Sequence, residues 1–290
     1  MTVIQMENVS KKIKNRVILE NLNFNFEENQ IIGFLGKNGS GKTSLMKIIA
    51  GEWSTTSGDV LVNGQKPFNN QEVLGGICFI QEGNNFHGYM KISELLKLCK
   101  NFYPNWNHEI AESLLTLFDL DSTKKIKELS KGMESAVGVL VGIASRSEIT
   151  IFDEPYIGMD ANARQKFYQF LLNDYMEVPR TIIFSTHLID EVSSLFQKVY
   201  VINKGKLLLE IPTDELKEVV YSISGPNEEI EKIKSNFFVL EEKHFMGNGE
   251  IIVFDQEQRK NQELPQDCKK NALNMQDIIV HVTEKGEQIR

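Results

Sequence analysis

The sequence predicts an α/β fold built on a parallel sheet with helices on both faces, and three observations support this prediction. Three runs are apolar, β-branched or aromatic without alternation, as expected of strands covered on both faces: residues 31–35, 149–152 and 181–185. Helical patterns lie between these strands, at residues 92–102, 109–118, 133–144 and 161–176. A glycine-rich segment separates the first strand from a helical stretch at 44–50, which gives a strand–loop–helix order.

The flanking segments predict further strands and a change of organisation near Pro212. Alternating apolar and polar positions indicate half-exposed strands at residues 2–9 and 22–26. A turn at 203–206 predicts a hairpin between 199–202 and 207–211. Beyond Pro212 we predict helices and strands in the order 213–219, 221–224, 227–235, two strands around a turn at 247–249, and a last helix at 275–283. We therefore divide the chain into a domain at 1–211, with a helical insert at about 83–145, and a small α/β accessory domain at 212–290.

The composition restricts the classes of function. The chain has 290 residues, of which 41% are hydrophobic and 25% are charged, an ordinary globular balance. Its net charge of -8 argues against sequence-independent nucleic-acid binding, which depends on clustered Lys and Arg, so no nucleic-acid partner is expected. The longest apolar stretch, residues 136–144, is far shorter than the roughly 20 residues that span a bilayer. The polar start of the chain does not resemble a signal peptide, so we expect an intracellular protein.

The glycine-rich segment is a complete phosphate-binding loop. Residues 36–43 read Gly-Lys-Asn-Gly-Ser-Gly-Lys-Thr, and the glycines let the backbone turn its N–H groups towards a phosphate chain. Lys42 is expected to reach the β and γ phosphates, and the Thr43 hydroxyl to bind Mg²⁺. An accidental glycine-rich turn would lack the strand before it and the helix after it. We assign to nucleotide binding Gly36, Asn38, Gly39, Ser40, Gly41, Lys42, Thr43 and Ser44.

A pair of carboxylates follows the second buried strand. Asp153 ends the apolar run 149–153, a position suited to holding Mg²⁺ opposite the loop hydroxyl. Glu154 points the other way on an extended chain, so we expect it to polarise the attacking water as the general base. The alternative is an exposed strand end, which the apolar run and the following Pro155 disfavour.

The order of these motifs resembles the ATP-binding subunits of ABC transporters over residues 2–211. Residues 129–134 read Leu-Ser-Lys-Gly-Met-Glu and resemble the family's signature motif, Leu-Ser-Gly-Gly-Gln. The resemblance implies a core sheet like that of RecA, an antiparallel β subdomain and an α-helical subdomain. It also implies that the signature contacts the γ phosphate of ATP bound to a second subunit, through Ser130, Lys131, Gly132 and Met133.

Three further residues take roles from the same resemblance. Gln81 resembles the family's glutamine loop, which touches Mg²⁺ or the water and senses the membrane partner. His187 follows a core strand and resembles the switch histidine, which contacts the γ phosphate and the catalytic carboxylate. Asp160 resembles the carboxylate that communicates across the dimer. The expected catalytic set is therefore Glu154, His187 and Gln81, and the expected Mg²⁺ ligands are Thr43, Gln81 and Asp153.

The chain departs from the family pattern at four positions. Ile13 stands where an aromatic residue usually stacks on adenine, so we expect apolar packing against the base without ring stacking. Lys131 and Met133 replace Gly and Gln in the signature, and Tyr156 replaces the Thr that commonly follows Pro155. None of these changes removes a group that the chemistry requires.

The resemblance also implies partners. Two ATP molecules would lie between head-to-tail ATPase subunits, identical or related, and a separate transmembrane permease would dock near Gln81 at the cytoplasmic face of the membrane. Residues 101–106, Asn-Phe-Tyr-Pro-Asn-Trp, resemble a segment of bacterial exporter ATPases, and the chain looks most like the ATPase subunits of staphylococcal phenol-soluble modulin exporters. That likeness implies export of a peptide or of an amphipathic or antimicrobial cargo.

Other functions stay open from the sequence. A soluble ABC protein acting on ribosomes or DNA is disfavoured by the single ATP site, by the lack of a long coiled coil and by the acidic balance. A regulatory module that binds ATP without turnover is disfavoured by the presence of Glu154. The accessory domain either stabilises the fold, helps to pair two chains, or senses a ligand.

Overall fold

The computed structural model describes residues 1–255 and 264–285. In chain order the strands of these residues are β1 (Thr2–Ile13), β2 (Arg16–Glu27), β3 (Ile31–Leu35), β4 (Ser57–Val62), β5 (Ile77–Ile80), β6 (Ile149–Asp153), β7 (Thr181–Ser185), β8 (Lys198–Asn203), β9 (Lys206–Pro212), β10 (Val220–Pro226), β11 (Phe238–Phe245), β12 (Asn248–Phe254) and β13 (Lys269–Ala272). The α-helices are α1 (Lys42–Ile49), α2 (Gln71–Leu74), α3 (Ile92–Phe102), α4 (His108–Leu117), α5 (Lys131–Ala144), α6 (Ala161–Glu177), α7 (Ile189–Val192), α8 (Thr213–Val219), α9 (Asn227–Ile233) and α10 (Met275–Lys285).

The central sheet has six strands in the order β5-β6-β7-β3-β8-β9. All its neighbours are parallel except the β8–β9 hairpin. Every residue of β3, β6 and β7 is buried, because alternate side chains enter two different cores. In β7, for example, Ile183 joins the core around α1, whereas Ile182 and Phe184 join the core on the opposite face. The predicted α/β fold with a doubly covered parallel sheet is therefore confirmed.

A second sheet, ordered β2-β1-β4 and antiparallel, packs on the α1 side of the central sheet. Phe24 and Phe26 of β2 face inwards, as the alternating pattern predicts, and their rings contact Phe34 and Tyr200 of the central sheet. β1 and β2 extend further towards their connecting turn than predicted. Strand β4 has no clear pattern in the sequence, because its first half is small or polar and it is held by pairing with β1.

The helices α3, α4 and α5 lie in the segment predicted as a helical insert. Ser130 caps α5 by accepting a hydrogen bond from the Met133 N–H, and most of the helix is buried. Gly142 lets α5 approach the central sheet closely, since a Cβ at this position would lie 2.4 Å from the Phe152 ring. The segment at residues 129–134 is thereby positioned at the N-terminal end of a largely buried helix.

The last part of the chain forms an antiparallel sheet in the order β11-β12-β10-β13. Helix α9 covers one face, and α10 returns to pack against α7, β8 and β11. The predicted turn at 247–249 is wrong by one residue. Met246 and Gly247 form the two-residue turn, both with positive φ, and Asn248 already pairs with Phe245.

Within residues 1–255 and 264–285, no helix combines the length and the apolar character needed to cross a membrane. Parts of the predicted accessory domain, 256–263 and 286–290, lie outside the described residues.

Candidate functional site

The loop between β3 and α1 wraps tightly because two of its glycines adopt conformations closed to other residues. Gly36 has φ 149° and Gly41 has φ 112°. A Cβ on Gly36 would lie 2.1 Å from the Ile202 carbonyl oxygen, so no side chain fits there. The loop therefore presents its backbone next to the start of α1, the arrangement that the sequence predicts for phosphate binding.

Lys42 begins α1 and bends back over the loop. Its ammonium donates hydrogen bonds to the carbonyl oxygens of Gly36, at 2.8 Å, and Lys37, at 3.2 Å. Burial lowers the pKa of Lys42 below 10.5, while the nearby carboxylates of Glu154 and Asp153 act in the opposite direction. The side chain is a buried cation between the loop and the two carboxylates.

Asp153 ends β6 inside the same site. It is only 4% exposed, and its Oδ1 atom is buried without a hydrogen-bond partner among the described residues. A buried carboxylate oxygen without a hydrogen-bond partner is energetically unfavourable unless a cation or a hydrogen-bond donor lies next to it. Oxygen ligands from a carboxylate and from the hydroxyl of Thr43, which lines the same cleft, are the donors that Mg²⁺ prefers. The donor set therefore fits Mg²⁺.

Glu154 and His187 meet because of the register of the central sheet. Asp153 pairs with Ser185 across parallel strands β6 and β7, so the residues that follow each strand emerge at the same edge. The Nδ1 atom of His187 lies 2.8 Å from Glu154 Oε2. Glu154 has φ 51°, a left-handed conformation that is uncommon for residues other than glycine and is frequent at functional sites.

Tyr156 joins this pair, which the sequence did not reveal. Its hydroxyl donates to Glu154 Oε2 and lies 2.5 Å from Thr186 Oγ1 and 3.4 Å from His187 Nδ1. The backbone N–H of His187 also donates to the phenol oxygen, at 3.2 Å. The one sequence signal was that Tyr156 departs from the family's usual threonine.

A cleft of about 560 Å³ connects these groups, within the roughly 300–1,000 Å³ of small-molecule sites. The residues lining it are Arg16, Ile18, Asn38, Gly39, Gly41, Lys42, Thr43, Ser44, Glu82, Asp153, Glu154, Ile157, Ser185 and His187. On the side of the β1–β2 hairpin the wall is formed by Arg16 and Ile18, whereas Ile13 lies at the exposed end of β1. The family resemblance therefore pointed to Ile13, whereas the hairpin residues that line the cleft are Arg16 and Ile18.

Gln81 lies beside the cleft rather than in its wall. Its backbone N–H donates to Asn85 Oδ1 at 2.8 Å, and its side-chain amide donates to Glu52 at 3.2 Å. The next residue, Glu82, lines the cleft instead. The Gln81 side chain is thus held by Glu52.

The signature residues lie outside the cleft. Lys131 borders an adjoining cavity of about 300 Å³, which shares Glu82 and Ile157 with the wall of the cleft. Gly132 packs so closely against Gly158 that a Cβ would lie 2.3 Å from the Gly158 carbonyl oxygen. Asp160 caps α6 by accepting from the Ala163 N–H. The signature therefore contacts the segment that leads to Asp160, and neither lines the cleft of the phosphate loop.

Comparisons with known proteins agree with this geometry. Residues 19–157 match the sequence profile of the family described as ABC transporter. The chain is 32% identical over 223 residues to the uncharacterized ABC transporter ATP-binding protein YdbJ of Bacillus subtilis, covering 74% of this chain and 72% of YdbJ. It is 28% identical over 252 residues to the bacitracin transport ATP-binding protein BcrA of Bacillus licheniformis, covering 84% of this chain and 80% of BcrA. A dimeric ATP-binding cassette solved in a post-hydrolysis state with ADP and Pi superposes with a TM-score of 0.64 at 22% identity, covering 72% of this chain and 98% of the cassette.

Proposed function

This chain belongs to the ABC transporter family as an ATP-hydrolysing, ATP-binding subunit, and we propose that it powers export of a peptide or of an amphipathic or antimicrobial cargo through a separate transmembrane permease. It would work at the cytoplasmic face of the membrane, attached through that permease. The observation that carries the ATPase part of this proposal is the cleft in which Lys42, Asp153, Glu154 and His187 meet.

Two similarities support the exporter assignment. BcrA is described as a bacitracin transport protein, and this chain aligns with four fifths of its length. Residues 101–106 resemble a segment of exporter ATPases, and the chain resembles the ATPase subunits of phenol-soluble modulin exporters. Both likenesses involve peptide cargoes, so a peptide is the cargo class we propose.

We propose the following roles for the cleft residues. The loop backbone from Gly36 to Thr43 and the Lys42 ammonium would hold the phosphate chain, and Ile18 with Arg16 would face the base. Thr43 and Asp153 would hold Mg²⁺, with Gln81 joining them after leaving Glu52. Mg²⁺, when bound, supplies positive charge to the phosphate oxygens. Glu154 would accept a proton from the attacking water, and His187 would hold Glu154 in place.

A second ATPase subunit, identical or related, would complete the site. Ser130 and Gly132 lie at the start of α5 and do not line the cleft of their own chain, so they would face the nucleotide of a partner. Asp160 lies two residues after Gly158, which contacts Gly132, and this placement is suited to transmitting dimer formation. The accessory residues 212–290 are proposed to stabilise the ATPase domain.

The catalytic part of the proposal is tested with Glu154→Gln. Without a carboxylate to accept the proton, phosphate release should fall by about 100-fold or more, while ATP binding is retained. Glu109→Gln, on the exposed surface of α4, is the matched control and should behave as wild type. Equal rates for Glu154→Gln and wild type would remove Glu154 as the base.

The transport part is tested in membranes. The reading frames beside the gene are searched for a multi-span membrane protein, and any such protein is co-expressed with the chain, purified from detergent-solubilised membranes and reconstituted into vesicles. ATP-dependent movement of a cationic amphipathic peptide, lost in Glu154→Gln, is the expected result. A chain that instead fractionates with ribosomes or DNA, and never with a membrane protein, would support the alternative function.

A further inference from the structure

We propose that Tyr156 is a positioning residue that holds the Glu154 carboxylate and links it to the segment carrying His187. This inference rests on the proposed role of Glu154 as the general base. It concerns a side chain in which this chain departs from its family's usual threonine.

The hydroxyl of Tyr156 lies at the centre of a buried group. The residue is only 2% exposed, yet its phenol oxygen reaches Glu154, Thr186 and His187. Tyr156 follows β6, and Thr186 and His187 follow β7, so the phenol bridges the ends of two neighbouring strands. A threonine hydroxyl, one bond from Cβ, could not occupy the position of an oxygen at the far end of a ring.

The available protons fix the direction of each hydrogen bond. A carboxylate only accepts, so the single phenol proton goes to Glu154 Oε2. The backbone N–H of His187 only donates, so the phenol oxygen accepts it. Because the phenol proton is used on Glu154, Thr186 must be the donor in its contact with the phenol oxygen, while Thr186 Oγ1 accepts the Leu188 N–H at 2.9 Å. Every hydrogen-bonding position of the Tyr156 hydroxyl is therefore used.

The phenol keeps its proton at neutral pH. Burial raises the pKa of Tyr156 well above 10.0, and the adjacent Glu154 carboxylate raises it further. Tyr156 is thus a permanent donor to Glu154, rather than a group that exchanges its own proton with the water.

Both bonds to Glu154 engage the same oxygen. Tyr156 and His187 each contact Oε2, whereas Oε1 accepts no hydrogen bond within the described part of the chain. A glutamate side chain has three rotatable torsions, and two donors on one oxygen restrict them. The free Oε1 is then the oxygen that accepts the water proton, and loss of one donor would misplace it.

The experiment compares wild type, Tyr156→Phe and Tyr168→Phe in the full chain under conditions of measurable ATP turnover. Removal of the Tyr156 hydroxyl should lower kcat by about 10- to 100-fold, as expected for a hydrogen bond to a charged group, and leave KM for ATP within about twofold. Tyr168 is also buried, at 7% exposure, but its hydroxyl has no hydrogen-bond partner in the described residues, so Tyr168→Phe should match wild type.

A double mutant separates positioning from general damage. If Tyr156 acts through Glu154, adding Tyr156→Phe to Glu154→Gln should change the residual rate by less than about twofold. A further loss of 10-fold or more would show damage elsewhere and overturn the inference. Thr186→Val, which removes the hydroxyl that donates to the phenol, offers a second route and should also lower kcat at unchanged KM.

The possible failures are distinguishable. If Glu154→Gln hydrolyses ATP as fast as wild type, the proposed general base is wrong. If Glu154→Gln is slow but Tyr156→Phe and Thr186→Val keep the wild-type kcat, only the role of Tyr156 is wrong. A faster Tyr156→Phe would mean that the hydroxyl restrains Glu154, and this would also overturn the inference.

Discussion

At the residue scale, the burial of the charged Lys42 side chain lowers the stability of the folded protein. The ammonium of Lys42 is buried, and its pKa is lowered from 10.5. This direction indicates that the loop carbonyls and the two carboxylates do not fully offset the loss of hydration. The charged form is therefore disfavoured by folding. We interpret this cost as the consequence of keeping a cation ready for a phosphate chain.

Lys42→Met should stabilise the nucleotide-free protein and abolish ATP binding. Removing the buried charge is expected to raise the free energy of unfolding at neutral pH by about 0.5–2 kcal/mol. Between the lowered folded-state pKa and 10.5, the unfolded wild type binds more protons than the folded form, so wild-type stability from this group rises with pH. The advantage of Lys42→Met should shrink in urea unfolding at about pH 10 compared with pH 7. A destabilised variant at pH 7 would contradict this account.

At the element scale, helix α10 connects the C-terminal region to the nucleotide site. Lys37 of the phosphate loop donates to Glu284 at 3.0 Å, and Asn203 donates to the Thr283 carbonyl oxygen at 2.8 Å. At the other end of the helix, the Gln276 N–H donates to Asp190 of α7, the helix that follows His187. The apolar face of α10 enters the main core, so packing rather than the ion pair should hold it there.

Two substitutions in α10 test this expectation. Ile278 is fully buried, and Ile278→Ala should lower the free energy of unfolding by about 2–5 kcal/mol through lost burial and a cavity. Glu284→Ala removes a solvent-exposed ion pair and should cost less than about 1 kcal/mol. Urea unfolding of both variants beside wild type gives the comparison. The reverse order of effects would show that the ion pair holds α10 in place.

At the scale of the whole molecule, the two halves of the expected ATP site do not meet within one chain, because no signature residue lines the cleft. The cleft carries the phosphate loop, Asp153 and Glu154, whereas Lys131 borders another cavity. The cleft of about 560 Å³ is in the size range of small-molecule sites, and no signature residue contributes to its wall. A single chain should therefore bind ATP, and turnover should depend on a partner.

Ser130→Glu tests this division. A carboxylate at the start of α5 would repel a γ phosphate brought there by a partner, so ATP turnover should fall by about 10-fold or more. Nucleotide affinity of the isolated chain should change by less than about twofold, because Ser130 does not line the cleft. Ser122→Glu, in the loop after α4, serves as the control. Loss of ATP binding by the isolated Ser130→Glu chain would mean that the signature contacts the nucleotide of the same chain, and would contradict the division between the two subunits.

The elements that could be predicted are those set by local patterns. The uninterrupted apolar strands and amphipathic helices were found within a few residues, because burial on two faces or one face leaves a direct periodicity. Strand β4 was missed, and the 247–249 turn was displaced, since strand pairing decided both. In the site, the phosphate loop and the Asp153–Glu154 pair could be predicted from the sequence, because each is a continuous segment that directly follows one strand.

By itself, the sequence determined the order of the motifs, the loop glycines and the chemistry that each residue could supply, since these depend on neighbours along the chain. Only the tertiary structure decided that Arg16 and Ile18 face the cleft and that Gln81 binds Glu52. It alone brought Tyr156 to Thr186, 30 residues away. The physical reason is the parallel register of β6 and β7, which places the ends of both strands at one edge, a pairing that no local pattern specifies.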